Sequence, residues 1–303
     1  LPKTPEIGLI TSGVGKQRGY GRVTFYTANS LHHSTYEADI LILDEVHELV
    51  TDFYISRLSR YRTPHVLGLT ATANTRFDNL HCRIEGLCGP ILRRYSYQEV
   101  QESGLVVPIL VQWIEVDGEN PIEFIDNLVL RKKYGIWTND YRNQLIATAA
   151  KGYYDAGFQT LVLVETIEHA LHLQRFLPEF TVCYAGNSDE GKFPEELGYK
   201  PISPQKRDEL RLQFMKREIM GAIATGIWAV GVSFDSLEVL CRADGAASKT
   251  MAIQSPGRVC RISDNKTFGI VVDCMDSFDP RFYRHSLQRK ALYVKNGWIQ
   301  LES

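Results

Sequence analysis

The chain reads as an α/β protein of two parallel-sheet domains in tandem, and three observations predict this. Its 303 residues exceed what one compact core usually holds. The second half alternates short apolar runs with helix-periodic stretches, the pattern of parallel βαβ units. Third, Ile40-Leu41-Ile42-Leu43 is an unbroken apolar run, expected to be a strand buried on both faces, with Asp44-Glu45-Val46-His47-Glu48 at its carboxyl end. Ligands of open parallel sheets bind at that end.

Composition narrows the class. Hydrophobic content of 44% and charged content of 23% are those of an ordinary globular protein. A net charge of −2 gives no global basic field, so contact with nucleic acid would rest on local patches. The six cysteines (82, 88, 183, 241, 260, 274) form no CxxC pair and no zinc-ligand spacing with histidine. His169 and His172 lie one helical turn apart and read as a polar helix face. Scattered free thiols, no signal peptide and no apolar run near ~20 residues predict a cytoplasmic protein with no membrane partner. The chain begins Leu1-Pro2-Lys3 without an initiator Met, so a piece of a longer protein is expected.

In chain order, Ile10 to Gln17 looks like a phosphate-binding loop, GxxxxGK[ST]. Ile10 stands where that loop needs Gly, and Gln17 where it needs a magnesium-binding hydroxyl. A surface turn is expected instead, leading into a strand Val23–Tyr26 that ends at Thr27. After the acidic motif, Val66–Leu69 reads as a second buried strand, ending in Thr70-Ala71-Thr72. The β-branched run Val106–Val116 is expected to be a strand leaving the first domain, followed by a turn from Asp117 to Pro121. Past the basic run Arg131-Lys132-Lys133, Thr138 is expected to cap a helix reaching Tyr154. These readings give a first domain at 1–117, a linker at 118–137 and a second domain at 138–303.

The second half then predicts a strand Thr160–Val164, a helix Thr166–Leu177, a strand Thr181–Tyr184 and a polar loop over 186–203. Ser203-Pro204 reads as an N-cap with Pro at the first helical position. Strands Ala222–Ala224, Val239–Cys241 and Ile270–Asp273 complete the set.

Two stretches carry chemistry. An Asp at a strand's carboxyl end, such as Asp44, can hold a nucleotide's magnesium. The adjacent Glu45 can orient and deprotonate a water, and His47 is close enough to sense the same phosphate. Gln254-Ser255-Pro256-Gly257-Arg258-Val259-Cys260-Arg261 places two arginines three apart, expected on one side of a helix. An arginine reaching a γ-phosphate held by another domain stabilises transition-state charge. Alone, either stretch would also describe a solvated loop or helix end.

Together they are specific. DEVH at 44–47, TAT at 70–72, Thr225-Gly226 with Gly231-Val232, and QxxGRxxR at 254–261 occur in the order of the motif set of superfamily 2 helicases and translocases, which the chain resembles from about Ile7 to its end. Leu161 to Ala170 and the tail Arg284…Arg289…Tyr293…Gly297-Trp298 look most like phage and bacterial DNA helicases of the UvsW and XPB-like kind. The resemblance implies two RecA-like domains, the first incomplete, with ATP and Mg2+ as cofactors and single-stranded or branched DNA as partner, RNA not excluded. It also implies a bacterial or phage origin.

By the same resemblance, Asp44 holds magnesium and Glu45 activates water. His47 and Gln254 couple the γ-phosphate to closure, and Arg258 and Arg261 are the fingers. Thr70 and Thr72 link hydrolysis to strand movement. Thr27, Thr166 and Thr225 touch the nucleic-acid backbone, and Gly231 faces both nucleotide and strand. The sequence departs from the family in three places. It lacks the phosphate loop, so a missing N-terminal segment in cis is expected, and inactivity of this chain alone with it. Ser233 stands where relatives have Asp, and Pro256 sits inside the expected finger helix. The alternatives are a nucleic-acid-binding module without ATPase activity and the motor portion of a restriction enzyme.

Overall fold

Packing divides the chain into two units, Leu1–Arg94 and Tyr95–Ser303. The computed structural model describes residues 7–10, 22–31, 37–70, 82–184, 199–228, 234–246, 248–264 and 266–301. The boundary therefore falls upstream of the expected linker at 118–137, which lies inside the second unit.

The first unit contains two parallel strand pairs among its described residues. Strand β1 (Ile7–Ile10) pairs with β2 (Val23–Tyr26), so Ile10 ends a strand rather than opening a turn. Residues 11–17 of the phosphate-loop look-alike lie outside the described residues. Strand β3 (Ile40–Leu43) pairs with β4 (His65–Gly68). Between them run a 3₁₀ turn at Val46–Glu48 and helix α1 (Asp52–Leu58). Helix α2 (Cys82–Cys88) closes the small core, which holds Leu43, Val46, Leu49, Val50, Leu58 and Ile84. Gly68 permits this closure, because a Cβ there would stand 2.7 Å from Cys88 Sγ.

Strand β3 departs from expectation. Leu43 is buried and Leu41 partly so, but Ile40 and Ile42 are each 59% exposed. Alternate residues of a strand point to opposite faces. The Leu41–Leu43 face packs on the core, and the other is uncovered among the described residues.

The second unit is built on a seven-stranded parallel sheet in the order β11-β5-β10-β9-β6-β8-β7. Its strands are β5 (Ile109–Glu115), β6 (Thr160–Leu163), β7 (Thr181–Cys183), β8 (Gly221–Ala224), β9 (Val239–Arg242), β10 (Gly269–Met275) and β11 (Ile299–Gln300). The strand expected to leave the first domain is β5, and it pairs along its whole length with β10. The register explains the difference: Ile109, Val111 and Trp113 point into the core formed with Leu161, Leu240 and Val271. Strands β6, β8, β9 and β10 are buried on both faces, as their continuous apolar runs predict.

Helices cover both faces, beginning with α3 (Tyr97–Glu102), which starts on a reciprocal capping box between Ser96 and Glu99. Next come α4 (Leu128–Lys132) and a π-helical segment Lys133–Trp137. Helix α5 (Asp140–Asp155) is capped by Asn139, whose side chain accepts from Arg142 N–H. Thr138, the expected cap, instead donates its hydroxyl to Lys133 C=O at 3.0 Å, closing the π turn. Helices α6 (Ile167–Gln174) and α7 (Pro204–Met215) start on Thr166 and Ser203, each accepting from the third residue onward. Helix α8 (Lys249–Gln254) is short, and α9 (Pro280–Lys295) crosses back to deliver β11. Because all seven strands are parallel, Thr166, Thr225, Asp244 and Asp279 follow strand ends on one edge of the sheet.

Candidate nucleotide and nucleic-acid site

In the first unit, β3 delivers Asp44 and Glu45 into an exposed turn. Glu45 adopts φ 48°, left-handed backbone that is uncommon for a side-chain-bearing residue. Asp44 Oδ1 accepts the Glu45 N–H at 3.0 Å. The strained residue thus coincides with the expected base, where such conformations tend to collect.

His47 lies beneath the turn, 4% exposed. Its Nδ1 stands 2.8 Å from Thr70 Oγ1 and 3.3 Å from Glu45 Oε2, while Nε2 stands 3.2 Å from Glu48 Oε1. One imidazole therefore ties the acidic turn after β3 to the Thr after β4. Backbone bonds reinforce the link, Val46 N–H to Leu69 C=O and Leu69 N–H to Leu43 C=O. Thr72 lies outside the described residues. Thr27 follows β2 and is exposed, its Oγ1 2.7 Å from Ser30 Oγ. Glu48 is a further partner of this ring that motif order does not single out, although it directly follows His47 in the sequence.

The turn's chemistry suits magnesium. That ion keeps several waters and takes one or two carboxylates together with nucleotide phosphates. Asp44 offers one solvent-facing carboxylate of this kind. Among the described residues no group of three or more His, Cys, Asp or Glu could by itself hold a metal ion.

In the second unit, α8 ends at Gln254, and Pro256–Arg258 forms a separate 3₁₀ turn. The α-helix ends two residues before Pro256, which occupies the first position of the 3₁₀ turn, where a missing N–H costs little. Arg258 closes this turn, and Arg261 lies beyond it outside any helix. Arg258 is buried and Arg261 exposed, its Nη1 3.4 Å from Asp235 Oδ1. They remain electrostatic neighbours: burial first, then the charge of Arg261, lowers the Arg258 pKa to about 10. Gly269 permits the approach of β10 to this turn, since a Cβ there would stand 2.1 Å from Val259 O.

Thr166 uses its hydroxyl to accept the His169 N–H at 3.1 Å, at the start of α6. Thr225 is buried at the end of β8, its N–H donating to Cys183 C=O. Gly231 lies outside the described residues, as does Ser233. His169 is fully buried, with Nε2 3.1 Å from Asn143 Oδ1, whereas His172 is half-buried with Nδ1 3.4 Å from Asp140 Oδ1, so the pair is not a solvated helix face.

A buried charge network underlies the loop into α8. Arg242 Nη2 donates to both Asp244 oxygens at 3.1 Å, and its Nη1 donates to Tyr293 Oη at 2.8 Å. Asp273 Oδ2 accepts from Arg289 Nε at 3.0 Å and from Tyr293 Oη at 2.6 Å. Burial alone would raise the Asp244 pKa, but Arg242 and Arg289 outweigh it and hold the carboxyl below its usual range. Asp244 also accepts the Ala246 N–H, and Arg289 reaches Ala246 C=O. The network thus holds the backbone at Ala246, upstream of α8. A signal for it stood in the sequence: Arg242 closes an otherwise apolar strand.

No family model matches the chain. It is 25% identical over 282 residues to "Putative helicase 22" of Sulfolobus islandicus filamentous virus, covering 88% of this chain and 46% of that protein. It is 22% identical over 301 residues to the DNA 3'-5' translocase XPB2 of Sulfurisphaera tokodaii, covering 91% and 68%. The chain spans about half the length of the first curated relatives it matches. In fold it is similar to S. cerevisiae Dbp5 bound to RNA and ADP BeF3, with TM-score 0.57 and 15% identity over 97% of this chain and 70% of that one. A fragment of an HsdR-type subunit of a type I restriction enzyme from Vibrio vulnificus YJ016 gives TM-score 0.60 and 19% identity, covering 92% and 55%. The RecA-like α/β architecture is thereby shown, and in sequence the chain is similar to helicases and translocases of superfamily 2.

Proposed function

We propose that this helicase-like chain belongs to an ATP-dependent translocase acting on nucleic acid, DNA by preference, in which both units serve one nucleotide. The observation that carries the reading is the His47 bridge. A buried imidazole joins the carboxylate turn at Glu45 to Thr70 on the neighbouring strand end. A change in charge or geometry at the turn is thereby coupled to Thr70 through a single ring.

On this reading Glu45 accepts the proton of the attacking water, and Asp44 holds the nucleotide's magnesium. That ion, when bound, neutralises phosphate charge. Arg258 and Arg261 stabilise the charge that develops on the transferred phosphoryl group, a role worth ~10³–10⁵ in rate. Gln254 and His47 register the γ-phosphate, Thr70 and Thr72 link hydrolysis to strand movement, Thr27, Thr166 and Thr225 touch the nucleic-acid backbone, and Gly231 faces both nucleotide and strand. The motif order and the helicase-named relatives support these assignments. DNA is favoured over RNA by the resemblance to the UvsW and XPB-like group and by the translocase relative.

The test is Glu45→Gln in the whole protein that contains these residues. Nucleic-acid-stimulated ATP hydrolysis should fall by about 10²–10⁴-fold while ATP binding survives. Unchanged turnover would remove Glu45 from the role of base. Comparing stimulation by single-stranded DNA and RNA of one sequence decides the preferred polymer.

A further inference from the structure

Helix α9 carries Arg281, Arg284, Arg289, Lys290 and Lys295 and no carboxylate. Arg289 turns inward to Asp273, whereas Arg281 and Arg284 are exposed on the first turns. Helix α4 stands beside those turns. Arg131 Nη2 donates to Asp279, the N-cap of α9, at 2.5 Å, and Arg131 Nη1 donates to the carbonyls of Ile122 and Ile125. These bonds pin the turn that presents Phe124, which is 91% exposed.

His285 reports the local field. Burial lowers its pKa first, and the four charges acting most on it are all positive: Arg281, Arg289 and Arg284 of its own helix and Lys132 of α4. The corner also continues into the site described above. Lys132 Nζ lies 2.5 Å from Glu165 Oε1, Trp137 Nε1 donates to Glu165 Oε2 at 3.1 Å, and Glu165 directly precedes Thr166. A solvated helix face would carry mixed charge and would not hold a pinned, outward-facing phenyl ring at its border.

We propose that the nucleic-acid strand passing Thr166 continues onto this corner, with its phosphates on Lys132, Arg281 and Arg284 and one unpaired base stacked on Phe124. The inference rests on the nucleic-acid reading of Thr166. Guanidinium forks match phosphate geometry, and stacking on an aromatic ring accepts any base. The contact is therefore sequence-tolerant and salt-sensitive.

The experiment is anisotropy of labelled short (~8-nucleotide) and long (~20-nucleotide) oligothymidylate with the 303-residue chain across a salt series. R281A/R284A should weaken binding of the long oligonucleotide and lower the slope of log K against log salt by about 1.4, since each single-strand phosphate contact contributes about 0.7. Affinity for the short one should hold. R281K/R284K should retain the slope, and F124A should weaken long-strand binding on the order of tenfold without changing it. If R281A/R284A binds the long oligonucleotide with wild-type affinity and slope, the corner is not a contact, while the proposed function stands. If the wild-type chain binds neither oligonucleotide, the nucleic-acid reading fails and takes this inference with it.

Discussion

Replacing Asp273 by Asn should destabilise the second unit severely while leaving its shape intact. Asp273 is buried and accepts from Arg289 Nε, Tyr293 Oη and, at 3.4 Å, Arg242 Nη1; its other oxygen accepts the Cys274 N–H. Asn is nearly isosteric and can still accept two of these bonds. What it removes is the charge that balances two buried guanidinium groups. Breaking a buried ion pair from one side costs about 3–5 kcal/mol. For a unit of roughly 200 residues each kcal/mol lowers Tm by about 2–4 °C, so the expected drop is about 6–20 °C. All four tryptophans lie in this unit, and Trp298 and Trp113 both stack on Tyr293, so intrinsic fluorescence follows it specifically. Adding Arg242→Gln should restore charge balance with Asp244 and Arg289, making the double variant more stable than additivity predicts. A Tm within 3 °C of wild type for Asp273→Asn, or strict additivity in the double, would refute the claim that this network is a charge-balanced clamp.

Other consequences are separately measurable. His169 is buried, and desolvation followed by Arg142 and His172 holds its pKa well below the ordinary 6.5. Below pH 6.5 the unfolded chain binds the proton more tightly, so stability should fall with pH from that point, by up to about 1.4 kcal/mol per unit for this group. Urea titrations across pH should show this slope, flattened in His169→Gln. Gly269→Ala forces a Cβ against the Val259 carbonyl and should cost about 1–3 kcal/mol or more by thermal melting, because backbone must move. Thr70→Val removes the hydroxyl facing His47 and should lower nucleic-acid-stimulated turnover more than it lowers ATP binding. Equal losses would make Thr70 a structural cap only.

What the sequence made legible was the part governed by local rules. Ser203-Pro204 opens α7, Thr166 opens α6, and the apolar runs at β6, β8, β9 and β10 are doubly buried strands. These follow from capping chemistry and from hydrophobic patterning. The misreadings came from long-range partners. Nothing near Val106–Val116 says that its partner is β10, about 160 residues on, so the strand reads locally as leaving the first domain. Ile40 and Ile42 carry the signature of a doubly buried strand, yet exposure depends on what covers the face. At the candidate site, the residue types were readable from motif order. The His47 bridge to Thr70, 23 positions away, and the 3₁₀ turn Pro256–Arg258, which ends on a buried Arg258 with Arg261 exposed beyond it, were not. Pro256 was the visible cue for that turn, since a helix seldom continues through proline.

On the proposed function, Glu45 and Arg261 act in one reaction. The most direct test of this is a double-mutant cycle on nucleic-acid-stimulated ATP turnover in the whole protein, combining Glu45→Gln with Arg261→Ala. Groups acting in a single transition state lose rate non-additively, so the double variant should be no slower than the worse single one, with DNA affinity of each near wild type. Rate losses that multiply, or an Arg261→Ala variant whose DNA affinity falls as far as its turnover, would place the two units' residues in separate roles.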